Sequence, residues 1–491
     1  MGIYIFNNCF VNINCYIFLI MKPVTIPEKT FIDENAIQLL IERNPNPDSK
    51  EVDEILAKAM ELKGLDLVDI ATLLNVNDKE NLEKLYATAH KIKDEIYGKR
   101  LVLFAPLYVA NYCANNCLYC GFRLANKEIE RKALTLDEVK EEVLAILEQG
   151  HKRILMLMGE DHKMSDLDYF YKAIEAAYSV KDSKGSQIRR INIEIQALSE
   201  EEFNVLKDIK IGTYTLFQET YHPEVYKVMH PSGRKANYKW RLYTMDRALA
   251  NGMHDVGIGA LFGLTDYRFE VLSLVTHAQH LDKEFGTGPH TISIPRIRPA
   301  VGAPAAMHIP NEVSDENFKK LVAILRMSVP YTGMILSTRE SAELRMQLFD
   351  LGISQISAGS RTSPGGYKQA FDETTDDSQF TLNDSRSSGE VIEGVIKQGY
   401  IPSFCTACYR LGRVGQDFMD LAKPGLIKLF CLPNALTTLK EYLVDYANPE
   451  TKTLGEALIE KELNGIPTEN VRNTTMKYLS RIEKGERDLY F

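Results

Sequence analysis

Six cysteines stand in two groups of three, and their side chains could hold metal. The groups are Cys113, Cys117 and Cys120, and Cys405, Cys408 and Cys431. Thiolates bind zinc or iron–sulfur clusters, and structural zinc takes four protein ligands. No fourth Cys or His stands close to either group in sequence. We therefore expect each group to hold a 4Fe-4S cluster that leaves one iron open to a small molecule.

Composition limits the other uses of these thiols. The 491 residues carry 58 basic and 67 acidic side chains, a formal charge of −9, which argues against nucleic-acid or anionic-membrane partners. Clustered cysteines in a lysine-rich chain favour metal ligation in a reducing compartment over disulfides. We expect a cytoplasmic protein. A zinc-dependent nucleic-acid binder and a non-catalytic iron–sulfur scaffold are the alternatives from other functional classes.

The first residues are apolar but do not resemble a targeting segment. Residues 1–20 lack a basic start and a small-residue cleavage site, and they are a marginal membrane span. Met21 opens a more ordinary beginning. We expect residues 1–20 to be a doubtful extension in which Cys9 and Cys15 have no role, with an N-terminal anchor as the alternative.

Periodicity predicts the elements that position the cysteines. Apolar spacing predicts about four helices within residues 21–100. Eight apolar runs then alternate with helices across residues 101–360, which predicts a (β/α)8 barrel, with a doubly wound open sheet as the alternative. Three residues, Thr135, Ser199 and Ser314, are expected to cap helices. The predicted strands are 101–109, 153–160, 191–197, 212–219, 255–263, 290–298, 333–339 and 355–360.

The remaining chain is predicted to hold a linker and a separate domain. Residues 361–399 combine a polar loop with a linking helix, and residues 400–491 form a mostly helical domain around the second cysteine group. The first group directly follows the first strand. It is therefore expected at the C-terminal mouth of the barrel, where catalytic groups gather.

The first group resembles the signature of the radical S-adenosylmethionine superfamily. That signature is C-x3-C-x2-C with an aromatic residue, here Tyr119, before the last cysteine. The resemblance implies that S-adenosyl-L-methionine binds the open iron and is cleaved to a 5′-deoxyadenosyl radical. Where the superfamily has a Gly-Gly-Glu-like turn, this chain has Met158, Gly159 and Glu160. Gly159 and Glu160 are therefore expected to receive the methionyl ammonium.

The second group resembles the tail of the FeFe-hydrogenase maturation tyrosine lyases. The resemblance covers residues 22–491 and includes GTYTLFQETYH, GPHTIS, STRE, QISAGS and the C-x2-C-x22-C tail. It implies cleavage of the Cα–Cβ bond of L-tyrosine to p-cresol and dehydroglycine. Carbon monoxide and cyanide then form on an additional iron at the tail cluster. Implied partners are an electron donor such as flavodoxin or ferredoxin and the maturation proteins that receive the iron product.

The sister family, the thiamine-pathway tyrosine lyases, supplies the alternative within this class. It shares the barrel and much of the QETYHP and PRIRP pattern but lacks the tail cluster, and its reaction stops at dehydroglycine. The tail cysteines favour the maturation enzyme over this alternative.

One histidine is expected to reach the tail cluster. His290 opens the sixth predicted strand, so it should lie at the N-terminal end of the barrel, opposite the first cysteine group. A tail domain plugging that end would bring its cluster close to His290. The family resembled here has a histidine ligand to its additional iron at a matching GPHTIS. His277 and His280, on the preceding helix, are weaker candidates.

The substrate should be held at the ends of barrel strands. Arg339 is the candidate for the tyrosine carboxylate, because a guanidinium binds a carboxylate through two parallel hydrogen bonds. Further candidates stand at other strand ends. Those for substrate are Ser337, Ser360, Arg296 and Arg298, and those for the amine or S-adenosylmethionine are Gln218 and Glu219.

Overall fold

The computed structural model describes residues 24–368 and 377–491. The doubtful extension 1–20, with Cys9 and Cys15, lies outside the described residues, as does part of the predicted loop in 361–399. Within the described part of the chain, no helix is long and apolar enough to cross a membrane.

Four helices precede the barrel, as the apolar spacing predicts. They are α1 (Glu34–Arg43), α2 (Ser49–Ala59), α3 (Leu67–Leu74) and α4 (Lys79–Tyr97). An aspartate caps each N-terminus by accepting a backbone N–H that the helix leaves free. The buried faces of the four helices belong to the same hydrophobic core as the barrel.

Eight parallel strands close into a barrel. They are β1 (Arg100–Ala110), β2 (Arg153–Met158), β3 (Arg190–Glu194), β4 (Tyr214–Thr215), β5 (Val256–Gly259), β6 (Thr291–Ser293), β7 (Gly333–Leu336) and β8 (Gln355–Ser357). The strands pair in chain order, and β1 pairs with both β2 and β8. This closure confirms the predicted (β/α)8 barrel and excludes the open sheet.

Helices surround the barrel and separate its strands. They are α5 (Leu136–Glu148), α6 (Leu167–Ser179), α7 (Glu200–Leu206), α8 (Pro223–Met229), α9 (Tyr238–Leu242), α10 (Thr244–Ala250), α11 (Tyr267–Phe285), α12 (Pro304–Met307), α13 (Asp315–Ser328) and α14 (Ala342–Leu351). Thr135, Ser199 and Ser314 cap α5, α7 and α13 as predicted, each accepting a backbone N–H. The preceding helices α3 and α4 pack against α11, α13 and α14.

The C-terminal region is mostly helical, as predicted. Its elements are α15 (Ser388–Lys397), β9 (Ile401–Ser403), α16 (Ala407–Arg410), α17 (Gly415–Ala422), α18 (Lys428–Asp445), α19 (Pro449–Asn464) and α20 (Glu469–Glu483). The short strand β9 is absent from the sequence-based prediction. It pairs in parallel with the first residues of β1, with Ile401 beside Arg100. The region is therefore joined to the N-terminal end of the barrel by backbone hydrogen bonds.

Several strands are shorter than the apolar runs predict. β6 begins at Thr291 and ends at Ser293, so His290 precedes it and Arg296 lies in the loop beyond it. β7 ends at Leu336, which places Arg339 in the following loop. Apolar residues continue past the last ladder hydrogen bond because the loops at the mouth are themselves buried. Such loops carry the binding groups of barrel enzymes.

Candidate functional site

A cavity at the C-terminal mouth of the barrel contains the first cysteine group. This "cluster cavity" has about 930 Å³ of empty space, including space open to solvent. It is lined by Cys113, Cys117 and Cys120, and also by Glu160 and Glu219, which follow β2 and β4. The structure therefore brings the three thiols and two of the predicted acidic residues into one space.

Close backbone packing fixes the cysteine loop against the end of β2. The N–H of Ala114 donates to the carbonyl of Glu160 at 2.7 Å, and the N–H of Gly159 donates to Ala110 at 3.0 Å. A Cβ at Gly159 would lie 2.1 Å from the carbonyl oxygen of Tyr112. The absence of a side chain at Gly159 thus permits the approach of the cysteine loop itself.

Two side-chain amides point at the cysteine sulfurs. Asn115 Nδ2 lies 3.8 Å from Cys113 Sγ, and Gln379 Nε2 lies 3.7 Å from Cys120 Sγ. Asn115 also donates to Glu160 Oε2 at 2.6 Å. N–H groups directed at a thiolate stabilise its negative charge and tune the potential of a cluster that it binds.

The donor set fits an iron–sulfur cluster better than one metal ion. Among the described residues, no three His, Cys, Asp or Glu side chains are grouped to hold a single metal ion. A cubane needs no such convergence, because each thiolate binds a different iron. Burial raises the pKa of all three thiols, that of Cys117 to about 12. Bound iron would offset this by favouring the thiolates.

Tyr119 is held in place by a buried histidine. Its hydroxyl lies 2.7 Å from Nε2 of His230, whose Nδ1 lies 2.8 Å from the carbonyl of Tyr226. Because a carbonyl only accepts, Nδ1 must carry the proton, and Tyr119 donates to Nε2. Burial lowers the pKa of His230 to about 3, which keeps the ring neutral.

Glu219 is engaged by two cations at the edge of the cluster cavity. Lys235 Nζ lies 2.5 Å and Arg241 Nη2 3.5 Å from its Oε1. Burial opposes ionisation, but these two charges hold the pKa of Glu219 below its ordinary value. Its φ of 72° is unusual for a non-glycine residue, and the ion pairs stabilise that conformation.

A second cavity adjoins the first, deeper in the barrel. This "inner cavity" is lined by Ser337, Arg339 and Ser360, the predicted substrate residues. The Arg339 guanidinium lies 3.3 Å from the ring centroid of Phe380. Within the described residues it forms no ion pair, and Ser360 Oγ is buried without a hydrogen-bond partner. These groups can therefore receive an anionic ligand.

Three predicted residues do not reach these cavities. Gln218 lies in the segment after β4, and its side chain is buried outside both cavities, with Nε2 unpartnered. Arg296 forms ion pairs with Glu340 and with Asp315, and Arg298 also pairs with Glu340. The loop after β6 turns both arginines toward α13 and the loop after β7. The charges of both arginines are neutralised by acidic residues of the protein itself.

Sequence reasoning missed several residues that line the two cavities. Tyr108, Glu194, Gln379 and Phe380 face both of them, and Lys235 faces the cluster cavity. Glu194 is the final residue of β3, a position that could have been found from barrel geometry. Gln379 and Phe380 stand in the polar segment after β8, where no periodic pattern predicts contact with the mouth. Tyr108 donates to Gln379 Oε1 at 2.8 Å.

The second cysteine group lies at the opposite, N-terminal end of the barrel. This "lower cavity" is lined by Cys405, Cys408 and Cys431 together with His290. Burial raises the pKa of the Cys408 thiol to about 12, and burial also raises that of Cys405. The structure thus brings all four predicted tail ligands into one cavity.

The lower cavity is strongly cationic. The first residues of β1, β2 and β3, namely Arg100, Arg153 and Arg190, all line it. Arg190 pairs with Asp255, whereas Arg100 and Arg153 make no ion pair among the described residues. Thiolates bound to iron would supply the balancing negative charge.

The three histidines considered for this end have different surroundings. Nδ1 of His290 lies 3.5 Å from Asp255 Oδ1, and burial lowers the pKa of His290 to about 4. His277 Nδ1 lies 2.8 Å from the hydroxyl of Tyr221, and His280 Nε2 lies 2.7 Å from Asp246. Neither of these two faces the lower cavity.

Comparison with protein families matches both halves of the barrel. Residues 107–274 match the radical SAM superfamily, and residues 293–401 match the Biotin and Thiamin Synthesis associated domain. The 2-iminoacetate synthase of Escherichia coli (strain K12) is 32% identical over 362 residues. The match spans 73% of this chain and 92% of that protein.

Solved structures extend the similarity to the tail. The crystal structure of HydG, a maturase of the FeFe-hydrogenase, shares 49% identity with a TM-score of 0.90, covering 94% of this chain and all of that one. The chain belongs to the HydG family of radical SAM enzymes. The HydG of Carboxydothermus hydrogenoformans is 42% identical with a TM-score of 0.79, covering 91% of this chain and 98% of that one.

Family membership explains the cluster cavity. A radical SAM enzyme carries a 4Fe-4S cluster and S-adenosylmethionine, and the three thiols of the cluster cavity fit that cluster. The match covers 94% of this chain. The uncovered residues are too few to make up the whole region from 400 to 491. The likeness to HydG therefore includes most of the tail that forms the lower cavity.

Proposed function

We propose that this chain is a tyrosine lyase of FeFe-hydrogenase maturation. It would cleave L-tyrosine to p-cresol and dehydroglycine and then form carbon monoxide and cyanide on an iron at a second cluster. One observation carries the proposal: the barrel places a separate three-cysteine cavity, with His290, at the end opposite the cluster cavity. The high identity to HydG structures supports it.

The cluster cavity and inner cavity would perform the cleavage. The residues of the cluster cavity would hold the cluster and S-adenosylmethionine, which together would supply a 5′-deoxyadenosyl radical. Glu160, oriented by the amide of Asn115, would receive the methionyl ammonium. Arg339 would bind the carboxylate of tyrosine, because its guanidinium faces the inner cavity without an acidic partner. Ser337 and Ser360 line the same cavity and would donate hydrogen bonds.

The lower cavity would hold the second cluster and the additional iron. Cys405, Cys408 and Cys431 supply three thiolates, which leave one iron of a 4Fe-4S cluster without a protein thiolate. Nδ1 of His290 lies 3.5 Å from Asp255 without forming a hydrogen bond, and Nε2 would bind the iron. Arg100 and Arg153 would offset the negative charge of the thiolates and of cyanide.

The lower cavity and the inner cavity approach each other along three strands of the barrel. On three strands, a residue of the lower cavity and a residue of the inner cavity are two positions apart. These pairs are Val102 and Phe104, Gly333 and Ile335, and Gln355 and Ser357. Two residues of a strand span about 7 Å. Dehydroglycine or a smaller fragment would need to cross only this distance.

A lyase that stops at dehydroglycine is the competing function. It would need the cluster and inner cavities but would leave the lower cavity without a role. Both functions need an electron donor for the first cluster, for which flavodoxin or ferredoxin is proposed. The maturation proteins that accept the iron product apply to the first function alone.

Anaerobic reconstitution tests the proposal. The chain would be loaded with iron and sulfide, then given L-tyrosine, S-adenosylmethionine and dithionite. We expect p-cresol by chromatography, carbon monoxide in a haemoglobin trap and iron-bound carbonyl and cyanide bands in the infrared. p-Cresol without carbon monoxide would support the competing lyase. Cleavage of S-adenosylmethionine without p-cresol would overturn both functions, and no cleavage at all would support a scaffold.

A further inference from the structure

Glu194 is a carboxylate with no assigned role at the centre of the site. It is the last residue of β3, and its side chain faces both the cluster cavity and the inner cavity. Within the described residues this side chain makes no hydrogen bond and no ion pair. Glu194 is half-buried, and a carboxylate withdrawn from water without a partner is costly. Its position therefore points to a cationic group that a ligand would bring.

The other acidic residues of these cavities already have partners. Glu160 accepts a hydrogen bond from Asn115, and Glu219 is paired with Lys235 and Arg241. Among the described acidic residues that line the two cavities, Glu194 alone lacks an amide or cationic partner.

Arg339 is the complementary group on the other side. It faces the same two cavities as Glu194, and each carries a charge without an ion-pair partner among the described residues. The two do not pair with each other, so more than 4.0 Å separates their charged atoms. Opposite charges held apart across an open space match the ammonium and carboxylate of an α-amino acid.

We propose that Glu194 binds the α-amino group of the amino-acid substrate and accepts one of its protons, while Arg339 holds the carboxylate. This assignment rests on the proposed lyase function. In the proton transfer, an N–H bond of the ammonium breaks, an O–H bond forms on Glu194, and the electron pair stays on nitrogen. The neutral amine that results loses a hydrogen atom more readily than the ammonium does.

The surroundings of Glu194 suit a proton acceptor near neutral pH. Burial, and then the charge of Glu219, raises the pKa of Glu194 to about 7, against the opposing charges of Lys235, Arg241 and Arg339. Tyr108, whose pKa is raised by burial, also faces it. A base works best when its pKa is near the working pH.

Ligand binding to the reconstituted holoenzyme with S-adenosylmethionine tests the assignment. Two probes would be titrated calorimetrically: L-tyrosine and 3-(4-hydroxyphenyl)propanoate, which keeps the carboxylate but lacks the amine. In Glu194→Gln we expect tyrosine to bind about 10- to 100-fold more weakly, with the affinity for the propanoate unchanged. In Arg339→Gln both probes should weaken. Equal affinity of Glu194→Gln and wild type for tyrosine, or equal weakening of both probes, would overturn the proposal.

Two further variants test whether the effect is specific to Glu194: a control at another carboxyl, and a variant that keeps the carboxylate. Glu270→Gln changes another buried carboxyl of raised pKa, outside both cavities, and should bind both probes as wild type does. Should Glu194→Gln lose its cluster absorbance, Glu194→Asp must show the same selective loss for tyrosine at smaller size. The absence of that selectivity would equally overturn the proposal.

The pH profile of turnover separates proton transfer from binding alone. In wild type the rate of p-cresol formation at saturating tyrosine should fall at low pH, because protonated Glu194 cannot accept a proton. The fall should lie below the pKa of about 7 that Glu194 has without ligand, because the bound ammonium favours the carboxylate. Glu194→Gln should lack this limb, and a retained limb would exclude Glu194 as the acceptor. Wild type that binds tyrosine through Glu194 but forms no p-cresol would refute the lyase function alone.

Discussion

His290 Nδ1 lies 3.5 Å from Asp255 Oδ1 at the lower end of the barrel. Asp255 also accepts the N–H of Gly415 at 3.0 Å and lies 3.3 Å from Arg190. One carboxylate therefore joins the barrel, the C-terminal region and the proposed iron ligand. A carboxylate facing one ring nitrogen orients the other toward a metal.

Asp255→Asn should weaken iron binding at the lower cavity without stopping tyrosine cleavage. The amide keeps the shape of Asp255 but removes the charge that orients His290, so we expect about 10- to 100-fold weaker binding of the additional iron. Iron analysis and electron paramagnetic resonance of the reconstituted protein would measure this. Asp246→Asn is the control, because Asp246 pairs with His280 outside the cavity. Equal iron loss in both variants would contradict the prediction.

Removing each of the two cysteine groups should affect different products. Because the cleavage groups lie at the mouth, Cys405→Ala with Cys408→Ala should abolish iron-bound carbonyl and retain a measurable part of p-cresol formation. Cys113→Ala with Cys117→Ala should abolish both products. Chromatography and infrared spectroscopy would be run on the same samples. If both double variants lost p-cresol completely, the two groups would not have separate roles.

Gly159→Ala should damage the cluster cavity through its backbone. The new Cβ would lie 2.1 Å from the Tyr112 carbonyl, so the cysteine loop must move. Overpacking of this kind costs about 1 to 3 kcal/mol, and we expect lower cluster content and slower S-adenosylmethionine cleavage. In the control Gly389→Ala, the new Cβ would meet nothing closer than 3.7 Å. Full activity of Gly159→Ala would show that the loop accommodates the change.

Much of the barrel could be predicted because strand and helix periods differ. The buried strands follow one another as apolar runs between capped helices, so the capping roles of Thr135 and Ser199 follow from the amino-acid sequence alone. The exact strand ends could not be predicted, since burial of the mouth loops hides where hydrogen bonding stops. Strand β9 has only three residues, one of them Pro402, and shows no alternating pattern.

The site was predictable only where residue type and spacing coincide. The cysteines could be predicted as ligands because thiolates bind metal clusters. His290 could be predicted because it stands at the start of a strand. Arg296 looked equivalent to Arg339, because both follow strands that end at the mouth. The two arginines differ in their tertiary contacts. Glu340 pairs with Arg296, while the ring of Phe380 lies against Arg339. Pairing across loops distant in sequence leaves no local pattern.

Val102→Phe should separate the two products by adding bulk where the lower cavity approaches the inner cavity. Val102 lines the lower cavity, and Phe104, two residues along β1, lines the inner cavity. The larger ring would obstruct passage through the barrel while leaving the mouth unchanged. We expect unaltered p-cresol formation and less iron-bound carbonyl, measured by infrared spectroscopy. Val102→Ala is the control and should transfer product at least as well as wild type, so a loss in both variants would argue against passage here.

Glu270 should make stability depend on pH. It is fully buried, and it accepts hydrogen bonds from Thr220 Oγ1 and, at 2.9 Å, from the N–H of Tyr221. Burial raises its pKa from 4.5 to about 8. The folded state therefore holds a proton that the unfolded chain releases. The contribution is complete below about pH 4.5 and is lost as pH rises through about 8, at up to about 1.4 kcal/mol per pH unit.

Glu270→Gln isolates this contribution because glutamine does not ionise. Anaerobic thermal unfolding of wild type and variant would be compared from pH 5 to pH 9. The Tm of Glu270→Gln relative to wild type should rise from pH 5 and level off above about pH 8, since only wild type must bury a charge at high pH. Glu469→Gln changes an exposed carboxyl in α20 and should give a constant difference from wild type. Parallel curves for wild type and Glu270→Gln would mean that Glu270 ionises as readily in the folded state as in the unfolded one.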